Sequence, residues 1–281
     1  FTFSENWQVA CACWMGIGAT TAPESIVSYE YGPMALTQIG WSFPATNKLL
    51  FQAGYSYLKQ AVSFTSQGGP NAPGATQVVD AGRGYTFGGL GISTQTDLND
   101  PQVQDNANQK LTMSYVTGSH SFKAGLQTQQ GIFNTRGNHP TDVTYTFLNG
   151  VPNRITQGAG PFRSDARLRS VGFFAQEQWS LRRLTVNVGV RHDAFRGFTL
   201  ADELPAGRFL PARSVPAIDD YPNTKDLTAR FGAAYDLRGN GQTAIKASWG
   251  KYPIGLGGGI LNQISPANAV VSSVNRTWTD T

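Results

Sequence analysis

The clearest signal in the chain is alternation. Leu184, Val186, Val188 and Val190 share one side of an extended chain, and Thr185, Asn187, Gly189 and Arg191 share the other. A period of two marks a β-strand whose faces meet different surroundings. Residues 171–181 read as a second strand, and only Arg182-Arg183 separates the two, which predicts a hairpin with a minimal turn. The pattern recurs at 226–237 and 242–253 around Arg238-Gly239-Asn240-Gly241, and at 109–117 and 121–133 around Gly118-Ser119-His120. It recurs again at 35–43 and 49–58 around Pro44-Ala45-Thr46-Asn47-Lys48. Gly and Asn supply the positive φ that tight turns need. The pattern predicts an all-β chain, an antiparallel up-and-down meander of about eight strands. Its hairpins are 35–58, 109–133, 168–197 and 226–253.

The connections between hairpins differ from the turns within them. Residues 59–108, 134–167 and 198–225 are long and rich in Gly, Pro, Asn, Asp and Thr, and they read as structureless loops. Residues 254–281 read as the start of a further loop, and 1–30 as an uncertain beginning. Short and long connections alternate, so a meander gathers the tight turns at one end and the long loops at the other. Outer-membrane barrels have that asymmetry, with short periplasmic turns and long extracellular loops.

The two faces carry different chemistry. One holds sets such as Leu49, Phe51, Ala53 and Tyr55, or Leu227, Ala229, Phe231, Ala233 and Tyr235. The other holds Gln52, Gly54, Ser56, Thr112, Ser114, Lys123, Gly125, Gln127, Thr228, Arg230 and Ser248. Alternation alone leaves open which side is inside: a soluble sandwich buries the apolar set, and a membrane barrel turns it out to lipid. The polar set is mostly Gly, Ser, Thr, Gln and Asn, where a solvated face would be dense in Lys and Glu. Aromatics also fall into two groups. Trp41, Phe43, Phe122, Trp179 and Tyr235 lie near the tight turns, while Tyr55, Tyr57, Trp249 and Tyr252 lie toward the long loops. Two bands of amphipathic rings suit two water–lipid interfaces. Trp41, Phe43, Tyr57, Trp179, Tyr235 and Trp249 are the girdle candidates.

Composition agrees. Only 14% of the 281 residues are charged, with 32 Gly, 16 Phe, 10 Tyr and 6 Trp. Average soluble domains carry about 25% charge. The aromatics argue against disorder, and no apolar run reaches the length of about 18 residues that a spanning helix needs. A net charge of +4 is weak, and the densest basic cluster, Arg163, Arg167 and Arg169, then Arg182 and Arg183, reads as charge at the ends of strands rather than a nucleic-acid stripe. Cys11 and Cys13 read as incidental thiols, with a strained disulfide as the alternative. Both ends fall in mid-pattern, so a piece of a longer chain is expected.

Several segments resemble the TonB-dependent receptor β-barrels of Gram-negative outer membranes, in the Oar-like branch whose members often carry a carboxypeptidase-regulatory-like domain. The resemblance rests on Phe173-Phe174-Ala175-Gln176-Glu177-Gln178-Trp179 followed by Leu184-Thr185-Val186-Asn187-Val188-Gly189-Val190-Arg191-His192-Asp193. Lys225–Asp236, Gly239–Tyr252, Trp41–Leu50 and Arg276–Asp280 extend it over most of 23–281. It departs mildly at Glu177, where Asp is usual, and at Ala229-Arg230, where a Pro-Arg pair is common. The resemblance implies part of a transmembrane barrel of about 22 strands, which in isolation is expected to be an open curved sheet. It implies a receptor in the Gram-negative outer membrane that imports a scarce solute through a plugged lumen. Its partners would be membrane lipid, a plug domain, the TonB system, and an unknown small solute, oligosaccharide or peptide, with no nucleic acid.

Under that reading Lys123, Arg191, Arg230, Asp236 and Lys246 point into the lumen, where plug contact and mutual pairing are expected. Arg191 lies highest and is placed to meet a solute. Tyr85, Phe87, Tyr145 and Phe147 are loop candidates for solute capture. His120, His139 and His192 lie on different elements, so no metal site is expected, and no cofactor is called for. Gly82-Arg83-Gly84 reads as a flexible loop. Asp202-Glu203 and Asp219-Asp220 read as solvated loop carboxylates, and no nucleophile motif is present, so an enzyme is not expected. The competing reading is a soluble β-rich carbohydrate-binding or adhesion module.

Overall fold

A computed structural model describes the chain except residues 1, 9–12, 16–19, 67–74, 92–100, 138–140, 254, 256, 258–259, 262, 264, 268–272 and 280–281. The strands are β1 (Thr2–Gln8), β2 (Cys13–Met15), β3 (Val27–Pro44), β4 (Leu49–Ser66), β5 (Gln77–Asp80), β6 (Tyr85–Phe87), β7 (Gln102–Val103), β8 (Asn106–Thr117) and β9 (His120–Gly137). They continue with β10 (Val143–Leu148), β11 (Val151–Gly158), β12 (Phe162–Leu181), β13 (Leu184–Thr199), β14 (Asp202–Leu204), β15 (Arg213–Val215), β16 (Asn223–Asp236), β17 (Ala244–Gly250) and β18 (Ser273–Thr277).

The main sheet is an antiparallel wall in the order β1-β3-β4-β8-β9-β12-β13-β16-β17, and it does not close among the described residues. The four expected hairpins are β3–β4, β8–β9, β12–β13 and β16–β17. Two short strands complete interrupted lines. β2 pairs with β3 in the register that β1 sets, and β7 pairs with β4 in the register that β8 sets. The wall therefore has one strand more than the expected meander, supplied by the uncertain beginning, where alternation is too short to read.

The turns follow their residues. Gly118 takes φ 55° and Arg182 φ 51°, each opening a two-residue turn, Gly118-Ser119 and Arg182-Arg183. Asp236 caps the longest of the short turns: its carboxylate accepts from the backbone N–H of Arg238 (3.2 Å), Gly239 (2.9 Å) and Gly241 (2.8 Å).

Register fixes the tilt. One line of cross-strand partners runs Leu49, Tyr115, Phe122, Glu177, Val188, Phe231, Trp249. It starts on the first residue of β4 and ends on the last but one of β17. The turn-side edge therefore steps steadily along the wall, the stagger that tilted barrel strands require.

The loops depart from expectation. Segments from 59–108, 134–167 and 254–281 build a second sheet, ordered β18-β11-β10-β5-β6, in which β5 and β10 are parallel. Loop 198–225 contributes the β14–β15 hairpin. These strands are too short for periodicity to reveal, and their partners are remote in sequence. Gly82-Arg83-Gly84 is an ordered turn between β5 and β6, because the buried Asp80 carboxylate accepts from Gly82 N (3.1 Å), Arg83 N (3.1 Å) and Asn149 N (2.9 Å).

Candidate functional site: the inner face and its covered mouth

The hollows of the molecule tell inside from outside. Three adjoining concavities lie along one face of the wall. The first is lined by Gln38, Asn108, Lys110, Gln127, Gln129 and Arg191, among others. The second shares Lys110, Gln127 and Arg191 with it and adds Lys123, Gln176 and Arg230. The third shares Lys123, Gln176 and Arg230 and reaches Ser248 and Tyr252. The polar set thus lines one continuous concave trough. The apolar set is on the convex side and stays exposed: Leu227 by 69%, Trp249 by 65%, Ile245 by 60% and Val190 by 54%. A soluble protein does not leave such a belt in water, which removes the soluble-module reading.

Arg191 crosses the trough floor. Its Nε and Nη2 donate to the Asp193 carboxylate at 2.7–2.9 Å, and its Nη1 donates to Gln127 Oε1 at 2.7 Å. Gly172 lies between them in register with both Asp193 and Gln127, and a Cβ there would overlap the Arg191 guanidinium and the Asp193 carboxylate. Glycine is what lets the side chain lie flat across three strands. Phe174, which the sequence reading did not single out, also faces inward and covers Gly125.

The other lumen candidates divide. Lys123, Arg230 and Lys246 are on the trough face by register. Lys110 joins them opposite Gln127. Lys110, Lys123 and Lys246 have no carboxylate partner among the described residues, and Arg230 sits 4.5 Å from the Tyr252 ring. Tyr252 therefore turns inward and does not belong to the outer aromatic band. Asp236, opposite Ala244, is at an inward register position as well, and its carboxylate accepts from the N–H groups of its own turn.

On the convex side, Trp41 and Phe43 stack at 5.8 Å near the turns. Trp179 and Tyr235 are also exposed there, and Trp249 stands at the far end of its strand. The Tyr57 hydroxyl donates to Asp105 at 2.7 Å. Near the turns a charge interrupts this face. Glu177 is outward and pairs with His120 at 2.6 Å, whose ring stacks on Phe122 and Trp179, both at 5.8 Å. His192 is outward far from His120, and His139 and Cys11 lie outside the described residues.

Above the trough the inner face changes character. Ala166, Leu168 and Phe195 are buried under Leu261, with Phe133 packed alongside. Ala267 packs on Leu204, Val215 and Phe162. The segment expected to begin a further loop folds back over the mouth-side wall. Its landing site, apolar residues at inward positions, is the signal that sequence reading passed over.

The four capture candidates come together on the loop sheet. Tyr85 and Phe147 flank Asp80 in one cross-strand line, and Phe87 and Tyr145 flank Val78 in the next. Trp278 joins them, 5.3 Å from the Tyr145 ring and 5.1 Å from that of Phe147. Tyr85 and Phe87 remain exposed. The loop carboxylates do not converge: Asp202 lies 3.5 Å from Arg163, and Asp220 pairs with Arg196.

A tilted antiparallel wall with an apolar convex face and a polar concave one defines a membrane β-barrel protein of the outer-membrane type. Comparison with protein families agrees: residues 22–281 match the outer membrane beta barrel domain. The chain belongs to that family, and its place is the outer membrane. Comparison with curated proteins and with solved structures gave no match.

Proposed function

We propose that the chain is barrel wall of a TonB-dependent transporter of the Oar-like branch, and that it works by binding and passage without covalent chemistry. The observation that carries this reading is the trough. It is a continuous polar surface whose cations Lys110, Lys123 and Lys246 find no carboxylate among the described residues, which leaves them to meet a plug domain or a solute. The order and spacing of the wall segments named above add to it. In this reading the aromatic face of the loop sheet, with Tyr85 and Phe87 exposed, captures the solute at the outer mouth. The Leu261 segment narrows the way in, and the trough conducts the solute once the plug is displaced.

The test uses cells carrying the full-length protein, with and without a working inner-membrane coupling complex. A panel of radiolabelled siderophores, oligosaccharides and peptides is scored for uptake. Uptake that needs both the protein and the coupling complex supports the proposal. Uptake that persists when the coupling complex is disabled overturns energised transport, and protein-dependent surface binding without uptake of any panel member replaces it with adhesion.

A further inference from the structure

The basic cluster of Arg163, Arg167 and Arg169 has no role in the trough. Residues at odd positions of β12 share the convex face with Phe173 and Trp179, so all three arginines point outward. Two cross-strand lines set out what surrounds them. Gln130, Arg169, Arg196 and Asn223 form one, and Thr128, Val171, Ala194 and Lys225 form the line nearer the turns. Below these the line is Leu126, Phe173, His192 and Leu227, with Phe173 56% and Leu227 69% exposed.

The cluster therefore stands at the upper edge of the lipid-facing belt. At ~3.3 Å per residue and a tilt of ~40°, Arg169 is roughly 33 Å above its turn, just past an apolar band about 25 Å tall. An outward side chain at that height is beside the headgroups of the outer leaflet.

The protein matches part of this basic face with carboxylates. Arg136 takes Asp165 at 2.7 Å, Arg196 takes Asp220, and Arg163 is 3.5 Å from Asp202. Arg167 donates only to Asn134 Oδ1 (2.6 Å) and the Ala166 carbonyl (3.0 Å). The Asp165 carboxylate also acts on Arg167, whereas Arg169 and Lys225 have no carboxylate partner among the described residues. Arg169 and Arg196 are direct cross-strand partners, an arrangement of like charges that costs stability. Both guanidinium groups are held against one ring, 5.6 and 5.7 Å from the centre of Phe198. Two planar donors, fixed side by side with a lysine on the next strand, suit a doubly charged oxyanion.

We propose that Arg169 and Lys225, with Arg167 and the Asp220-paired Arg196 beside them, form a binding site for a phosphate-bearing lipid of the outer leaflet. Its acyl chains lie on the belt around Phe173 and Leu227, and its phosphate is held by the arginines. The belt is continuous with the site, which is why the occupant is a lipid and not a free anion. The site rests on the membrane placement of the wall and is independent of the transport reading.

The test uses the full-length protein in mild detergent, with native mass spectrometry as the readout and a bisphosphorylated glycolipid as the probe. The wild type is expected to retain the probe. Arg169→Gln with Lys225→Gln, two exposed side chains with no polar partner here, is expected to weaken retention about 25-fold, roughly fivefold per charge. Arg169→Lys is expected to keep most of it, and Lys110→Gln with Lys123→Gln on the trough face to leave it unchanged. Heat-modifiable mobility on gels confirms that each variant is assembled. Should the double variant fail to assemble, competition on the wild type decides. Millimolar inorganic phosphate is expected not to displace the probe, and displacement would overturn the lipid assignment. Unchanged retention in an assembled double variant, or equal loss in the trough-face control, would also overturn the proposal.

Discussion

Asn187 and Val190 lie on the same strand, yet they stand in different solvents. Asn187 faces the trough beside Gly232 and Gln178, and Val190 faces out between Ala175 and Ala229. The contrast teaches that the polar face of this wall is its interior, so hydrophobic burial happens against lipid and not within the protein. The most forceful way to break the contrast is a charge at Val190. Val190→Arg is expected to cost about 2–4 kcal/mol, the cost of an arginine near the bilayer midplane, and Asn187→Arg within ~0.5 kcal/mol of zero. Denaturant titration of the full-length protein in lipid vesicles measures both. Equal costs would mean that the faces have been assigned the wrong way round. Val190 is a sharper probe than Val188, because Val188 is opposite Glu177 and an arginine there would find a partner.

A second comparison sets two glycines of the trough against each other. Gly172 is overlain by Arg191 and Asp193, and Gly54 has open space where its side chain would be. Gly172→Val is expected to displace the guanidinium from both Asp193 and Gln127. It should cost about 1–3 kcal/mol through overpacking and lost charge-assisted hydrogen bonds. Gly54→Ala is expected to change stability by less than ~0.5 kcal/mol. The same titration tests them, and similar losses would mean that strand glycine content, not the Arg191 bridge, sets the effect.

How much of this was legible before the structure follows from how far apart the partners are. Leu184 to Val190 announces a strand because the contrast between its two surroundings repeats every second residue. The two-residue turn at Arg182-Arg183 then sets the hairpin register with no further information. Phe195 and Leu168 keep the same parity and yet are apolar on the inward side, because Leu261 covers them from far along the chain. Nothing local encodes that contact. The four ring candidates were found as aromatics in loops, but their shared face depends on β5 pairing parallel to β10 across two connections. Trp278, which completes the face, comes from the far end of the chain. Glu177 shows the remaining limit: its partner, His120, is the first residue of a different hairpin strand, so nothing local to Glu177 announces the pair.

That pair gives a smaller test of the same two-solvent picture. Removing His120 alone leaves a carboxylate facing the belt, and His120→Phe is expected to cost about 1 kcal/mol, in keeping with a pair near the interface. Replacing both, His120→Phe with Glu177→Leu, is expected to recover that loss or exceed it, since apolar substitution of a desolvated polar pair is often neutral or stabilising. A double variant less stable than His120→Phe alone, in the same vesicle titration, would mean that the His120–Glu177 contact holds the rim by more than satisfying the carboxylate.

The smallest expected effect lies in the loop sheet, which is built on hydrogen bonds where the wall is built on long ladders. Asp80 anchors the β5–β6 turn and the end of β10 through Gly82, Arg83 and Asn149. Burial would raise its carboxyl, but the backbone donors of Arg83, Asn149 and Gly150 and the nearby Arg83 charge outweigh it and hold it below its ordinary 3.8. A carboxylate whose folded value is depressed contributes stability that is complete above the unfolded value and is lost as pH falls through the folded one. The turn is therefore expected to hold at neutral pH and to loosen only below about pH 3.8, while the wall strands keep their protection. Hydrogen exchange of the amides of Gly82, Arg83 and Asn149, followed from pH 6 to about pH 3 against those of β12 and β13 and corrected for the intrinsic pH dependence of exchange, measures it. Asp80→Asn is expected to show the loosened protection already at neutral pH. Amides equally protected in that variant would mean that the sheet pairing of β5 with β10, and not the carboxylate, orders this end of the loops.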